Sequence, residues 1–295
     1  MRFAPPTWEE SRRAIGRLDM LPPALRRAFE PSAAFEPLPP PGPHDWLANH
    51  PEPGQTFEEF VASRPNRPDA IRRTIYLQPL DKFSNGTGPP LDRLEQFAAA
   101  FFMMNVQTLP AIDLAGSTIT TRTNPHTGHL QLLTGDILAL LRRRLPADAY
   151  CVLGITMHDL YPDPAWNFVF GQASLRHRVG VYSFARYDPR FYGHTIEDGE
   201  QVLLRRSCKV LAHETAHMFG ISHCIYFRCL MNGSNHLAES DARPLHLCPV
   251  DLRKLHHSVR FDIVDRYRRL RDFCRAAGFE DEAQWLEQHL ARLLA

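Results

Sequence analysis

His213-Glu214-Thr215-Ala216-His217-Met218-Phe219-Gly220-Ile221-Ser222-His223 is the stretch of this 295-residue chain on which the reading turns. It fits H-E-x-x-H-x-x-G-x-x-H at every fixed position. Residues four apart on a helix share a face one turn apart, so His213 and His217 can aim two imidazoles at one ion. Glu214 stands beside the first histidine and can reach a water on that ion without displacing it. Gly220 accepts the left-handed backbone that ends a helix sharply, and the returning chain offers His223 as a third ligand. Three histidines with an open fourth position make the geometry of a catalytic zinc. Such an ion lowers the pKa of water towards about 7 and polarises a carbonyl. Glu214 is then the candidate general base, taking the water's proton and passing it to a leaving amine.

A bare H-E-x-x-H arises by chance, and a lone histidine is more often core or surface. Here the pentad sits in an apolar-patterned helix expected over residues 201–219, where Val210, Leu211 and Phe219 bury one side. Working outward, residues 74–80 (TIYLQPL) and the apolar run 149–157 (AYCVLGITM) read as buried strands. Residues 106–109, 166–171 and 179–186 read as further strands, and 91–105 and 130–145 as helices. Strands alternating with helices predict a layered α/β sheet. Residues 251–256, 260–276 and 280–294 read as charged helices, with Val264, Tyr267, Leu270 and Cys274 on one buried face. Before the sheet, residues 9–20 and 25–29 have helical character. Residues 31–43 hold six prolines, which predicts an extended arm, held to the domain through Phe35 and Trp46.

Composition narrows the function. The net charge of +1 carries no basic excess for nucleic acid. No apolar run reaches membrane-spanning length, and residues 1–16 lack the apolar core of a secretory signal, so the expected location is the cytoplasm. Lys82, Lys209 and Lys254 are the only lysines, a bias read as coding preference. The basic run 142–144 complements a helix C-terminus. Of the six cysteines, Cys151 and Cys208 lie in apolar runs and are expected to be buried. Cys224, Cys229 and Cys248 follow the histidine motif closely, which favours metal binding over disulfides in a reducing compartment.

The motif, followed by Cys224-x4-Cys229-x-Met231-x-Gly233-Ser234-Asn235, resembles the metzincin metallopeptidases and, among them, the archaemetzincins. WNFVFGQAS at 166–174, SFARY at 183–187 and the region 46–60 are similar to the longer, animal-type members, so the resemblance spans most of the chain. It implies a twisted mixed sheet with an active-site helix and a mainly helical C-terminal subdomain, an α/β (α+β) fold. The domains expected are an N-terminal extension with its arm (1–65) and a peptidase domain (66–295), divided into sheet and helices (66–222) and the C-terminal subdomain (223–295). It implies that Met231 packs beneath the metal, which is also what a core methionine would do. It further implies a second, structural zinc held by four cysteines. Cys224, Cys229 and Cys248 are three of these, but the fourth position is Asp251. Aspartate binds zinc at about 2.0–2.2 Å, so Asp251 can be the ligand. His246, His256 or His257 can replace it, or Asp251 can be only a helix cap over an empty site.

Several other residues carry weaker readings. Glu239 and Arg243 are spaced for an exposed ion pair, Ser234 and Asn235 for substrate contact, and His158-Asp159, at a strand end, for a loop role ahead of entry into the cleft. Two function classes remain in view: a zinc metallopeptidase acting on peptides or proteins, and a non-catalytic, zinc-containing peptide-binding or interaction protein on the same scaffold. Glu214 favours the first.

Overall fold

The computed structural model describes residues 3–83, 87–194 and 196–295. Two compact units emerge: Met1–Asn66 together with Phe219–Ala295, and Arg67–Met218.

The N-terminal part of the first unit carries four short helices, α1 (Trp8–Ile15), α2 (Pro23–Phe29), α3 (Trp46–Asn49) and α4 (Phe57–Ala62). α1 and α4 each begin with a capping box, Thr7 with Glu10 and Thr56 with Glu59, which satisfies amide groups that a first turn leaves open.

The second unit holds the sheets. The larger one is built from β1 (Thr74–Pro79), β2 (Asn105–Thr108), β5 (Ala149–Thr156), β7 (Gly171–Ser174) and β8 (Val179–Ser183), in the order β2-β1-β5-β8-β7. Its pairs are parallel except β7 with β8, so the sheet is mixed. Every residue of β1 and β5 is buried, as expected for strands covered on both faces. A smaller sheet, β3 (Thr121–Thr123), β4 (Leu130–Leu133) and β6 (Asp159–Tyr161), lies in the same unit. Helices α5 (Leu91–Phe102), α6 (Thr134–Arg143) and α7 (Gly199–Met218) complete it. Phe97, Phe101 and Phe102 on α5 are wholly buried, each contributing about 2 kcal/mol by burial.

Two strand and helix assignments differ from the sequence reading. Residues 130–133 form a strand rather than the start of a helix, because Leu132 and its neighbours pair on both sides, with β3 and β6, and pairing overrides a short apolar pattern. Residues 166–170 do not form a strand. The Asn167 carbonyl is taken by the side chains of Arg122, Asn124 and Gln131, and in that stretch only Val169 bridges to Leu160.

The first unit continues with α8 (Leu237–Ala242), α9 (Pro249–Val259), α10 (Ile263–Ala276) and α11 (Glu280–Leu294). The N-terminal segment is stitched to them. Arg27 donates to the Leu293 carbonyl at 2.7 Å, and Arg253 to the carbonyls of Ile15 and Arg17. The proline-rich arm is extended and runs beside the cysteine loop: Pro37 bridges to Phe227 and Arg228 N donates to Glu36 O at 2.8 Å. Phe35 is buried against Trp285 and His289.

His289 stacks between Trp285, at 3.7 Å, and Tyr267, at 6.0 Å, and its Nε2 has no hydrogen-bond partner among the described residues. Burial, followed by the charge of His246, pushes its imidazole down to about 4. A depressed histidine stabilises the fold above its ordinary value of about 6.5 and loses that contribution as pH falls through about 4. His289→Phe keeps the stack and removes the proton site. The melting temperature should therefore fall less between pH 7 and pH 4 in the variant than in the wild type, by about 5 °C; scanning calorimetry at the two pH values checks this.

Candidate metal site

α7 places the first part of the histidine motif. His213 and His217 project from one face one turn apart, with their Nε2 atoms 3.1 Å from each other and their rings nearly perpendicular. His213 is buried and Glu214, beside it, is half-buried. The last turn of α7 is anchored in its own unit by Tyr150, whose buried hydroxyl donates to the Met218 carbonyl at 3.1 Å. Tyr182 on β8 is also buried, and its hydroxyl has no hydrogen-bond partner among the described residues. Burial and then the charge of Glu214 push that phenol well above its ordinary range, so it stays protonated at neutral pH.

The division between the units falls between Met218 and Phe219, inside the motif. Gly220 has φ +78°, the left-handed conformation expected where the helix stops. In the first unit, His223 is partly buried, and its Nδ1 lies 2.9 Å from Glu52 Oε1. Trp46 donates from Nε1 to the same oxygen at 2.6 Å and sets its ring edge-on to His223 at 5.3 Å. Gln55 brackets the turn before it, donating to Gly220 O and accepting from Ser222 N, each at 3.2 Å.

The cysteine loop follows. Cys224, Cys229, Cys248 and Asp251 are all buried, with one ligand atom from each lying within 4.8 Å of the others. Cys224 Sγ is 3.6 Å from Cys248 Sγ. Asp251 Oδ2 lies 3.3 Å from Cys229 Sγ and 3.6 Å from Cys248 Sγ. The other carboxylate oxygen, Oδ1, accepts from the buried Lys254 ammonium at 2.9 Å. Asp251 is not the helix cap: Cys248 occupies the N-cap of α9, Pro249 follows it, and Asp251 sits in the first turn. The three histidines considered as substitutes lie against other groups, His246 against Glu282 and Trp285, His256 against Phe29 and Phe261, and His257 against Phe57 and Phe60.

Burial pushes the Cys229 and Cys248 thiols well above their ordinary range. Burial acts the same way on Cys224, but hydrogen bonds from the other two thiols outweigh it and bring Cys224 well below. Asp251 is raised by burial to about 6, against the opposing charge of Lys254. Buried anions at such spacing repel one another, and a cation among them reverses that balance.

Met231 is fully buried, and its carbonyl accepts from Cys224 N at 2.8 Å. Asn232 staples the loop, donating to the carbonyls of Cys224 and Phe227 and accepting from Cys229 N. At Gly233 a Cβ would collide with the Trp46 indole, so only glycine lets that ring lie there. Arg243 does not form an exposed pair: it is buried and donates to Asn232 O and Ser240 Oγ. Glu239 instead accepts from the backbone N–H of Trp46 and of Asn235. Asp159 is not a loop residue either, being buried in β6 with both oxygens on Arg186.

Sequence reasoning missed Glu52 and Gln55. Glu52 and His223 are separated by 171 positions, and no local spacing could join them.

Two groups of residues could thus each hold a metal ion, and comparison with known proteins identifies the class. The profile of peptidase family M54 matches residues 144–257. Archaemetzincin-2 of Mus musculus is 41% identical over 275 residues, covering 83% of this chain and 77% of its own length. Archaemetzincin-2 of Homo sapiens is 41% identical over 276 residues, covering 83% and 76%. A solved zinc-dependent peptidase from Methanocorpusculum labreanum is similar at 26% identity, covering 61% of this chain and 99% of that one, with a TM-score of 0.49. The chain belongs to the archaemetzincin family, a family of zinc metallopeptidases. Among the described residues no helix is long and apolar enough to cross a membrane.

Proposed function

We propose that this chain hydrolyses peptide bonds, with His213, His217 and His223 holding a zinc ion and Glu214 as general base. The observation that carries the reading is the pair of Nε2 atoms 3.1 Å apart on α7, with Glu214 between them in sequence. Two nitrogen donors this close, with a third histidine six residues on, suit tetrahedral zinc and leave a position open. Zinc there supplies Lewis-acid polarisation of a carbonyl and makes water acidic near neutral pH. Glu214 accepts the proton of the attacking water and returns it to the leaving amine, which requires a carboxylate that is ionised at rest and within reach of both.

A second zinc, held by Cys224, Cys229, Cys248 and Asp251 Oδ2, has a structural role. Support comes from the donor set: three sulfurs and one oxygen, all buried, converge within 4.8 Å. Lys254 takes the other aspartate oxygen, which leaves Asp251 one ligating atom and offsets part of the negative charge that burial makes costly. The location is cytoplasmic, which keeps these thiols reduced.

Hydrolysis of a mixed peptide library by the purified chain tests the main reading. Cleavage is expected with zinc bound, lost after chelation and restored by zinc. A zinc-loaded chain that binds peptides and cleaves none would place it among the non-catalytic binders.

A further inference from the structure

We infer that Glu52, in the N-terminal segment, is a positioning residue for His223: its carboxylate fixes the imidazole so that Nε2 faces the metal. The inference rests on the zinc reading above and extends it to a residue outside the motif.

An imidazole offers either nitrogen to an ion, and the choice is set by what the other nitrogen bonds. His223 Nδ1 is 2.9 Å from Glu52 Oε1. A carboxylate can only accept there, so Nδ1 carries the proton and Nε2 keeps its lone pair. Partners of this kind commonly tune metal affinity 10- to 100-fold.

The carboxylate is itself held. Trp46 Nε1 donates to Oε1 at 2.6 Å, and the indole edge limits the swing of the His223 ring. Trp46 in turn is fixed by Glu239 at its backbone N–H and by the cleared space over Gly233. Gln55 clamps Gly220 and Ser222 on the approach to His223. Three side chains between residues 46 and 55 thus bear on the four residues from Gly220 to His223. A surface ion pair would not be built this way: His223 and Glu52 keep only 21% and 25% of their side-chain surface exposed, and the tryptophan closes one side.

The test compares wild type, Glu52→Ala and the isosteric Glu52→Gln, each as full-length protein. Zinc affinity is measured by competition with a chromophoric chelator, and the histidine-bound ion is identified as the one lost in His213→Ala. Glu52→Ala should weaken that zinc by about 10- to 100-fold and Glu52→Gln by less, since an amide oxygen still accepts from Nδ1. The zinc on the cysteine cluster should keep its affinity. Side-chain 15N spectra of the zinc-loaded wild type should show His223 protonated at Nδ1 and metal-bound through Nε2, with a mixture of the two arrangements in Glu52→Ala.

Affinity unchanged in both variants, or an Nε2-protonated His223 in the wild type, overturns the role of Glu52 and leaves the peptidase reading standing. Equal weakening of both zinc ions also overturns it, because the effect would then be on folding. A wild-type chain that binds no zinc through His213 overturns both readings together.

Discussion

Glu214→Gln keeps its zinc and its melting temperature and loses about a hundred- to ten-thousand-fold in kcat/KM for peptide cleavage, the range a positioned general base contributes. The substitution is nearly isosteric and sits on the half-buried edge of α7, so the helix and the two histidines beside it are undisturbed. What changes is the ability to hold a proton between the attack of water and the departure of the amine. The loss should fall on kcat more than on KM, because proton transfer belongs to the transition state and not to substrate binding. Steady-state kinetics with a quenched fluorescent peptide, alongside zinc determination, checks both parts. Activity equal to the wild type at equal zinc content would remove Glu214 from the reaction.

The second large effect is expected at the cysteine cluster. Cys229→Ser should reduce bound zinc from two ions to one and lower the melting temperature by about 10 °C, on the scale at which structural zinc contributes to folding. Cys229 is fully buried, accepts from Cys248 N at 3.2 Å and faces Asp251 Oδ2. Without the ion, Asp251 and Lys254 remain as a buried pair beside Cys248, whose thiol burial pushes well above its ordinary range. The same loop carries Asn232 and Met231 and begins one residue after His223, so its loosening should also reduce turnover. Differential scanning calorimetry with metal analysis separates the outcomes. Unchanged melting and two zinc ions in Cys229→Ser would exclude a structural role for this thiolate.

The parts legible in the sequence were those governed by local spacing. The helix carrying His213 and His217 follows from apolar periodicity and comes out as Gly199–Met218. The continuous apolar runs at β1 and β5 came through because both faces of those strands are covered. Residues 130–133 did not, because LQLL suits a helix and a strand alike until its partners β3 and β6 are known. Asn167 misled for a related reason: its carbonyl serves side chains instead of a ladder, and such bonds leave no periodic trace. Asp251 was read as a ligand or a cap, and its place in the first turn of α9 with one oxygen towards the thiols removes the cap. Lys254 and Glu52 were invisible as partners. Lys254 shows its role only when burial is known, and Glu52 reaches His223 across most of the chain.

Zinc per chain, measured on the purified wild type and on His213→Ala, tests the central claim most directly. The account predicts two ions in the wild type and one in the variant, with peptide hydrolysis lost alongside the ion that departs. A wild type that takes up no zinc after reconstitution, or a His213→Ala protein that keeps both ions and its activity, would contradict it.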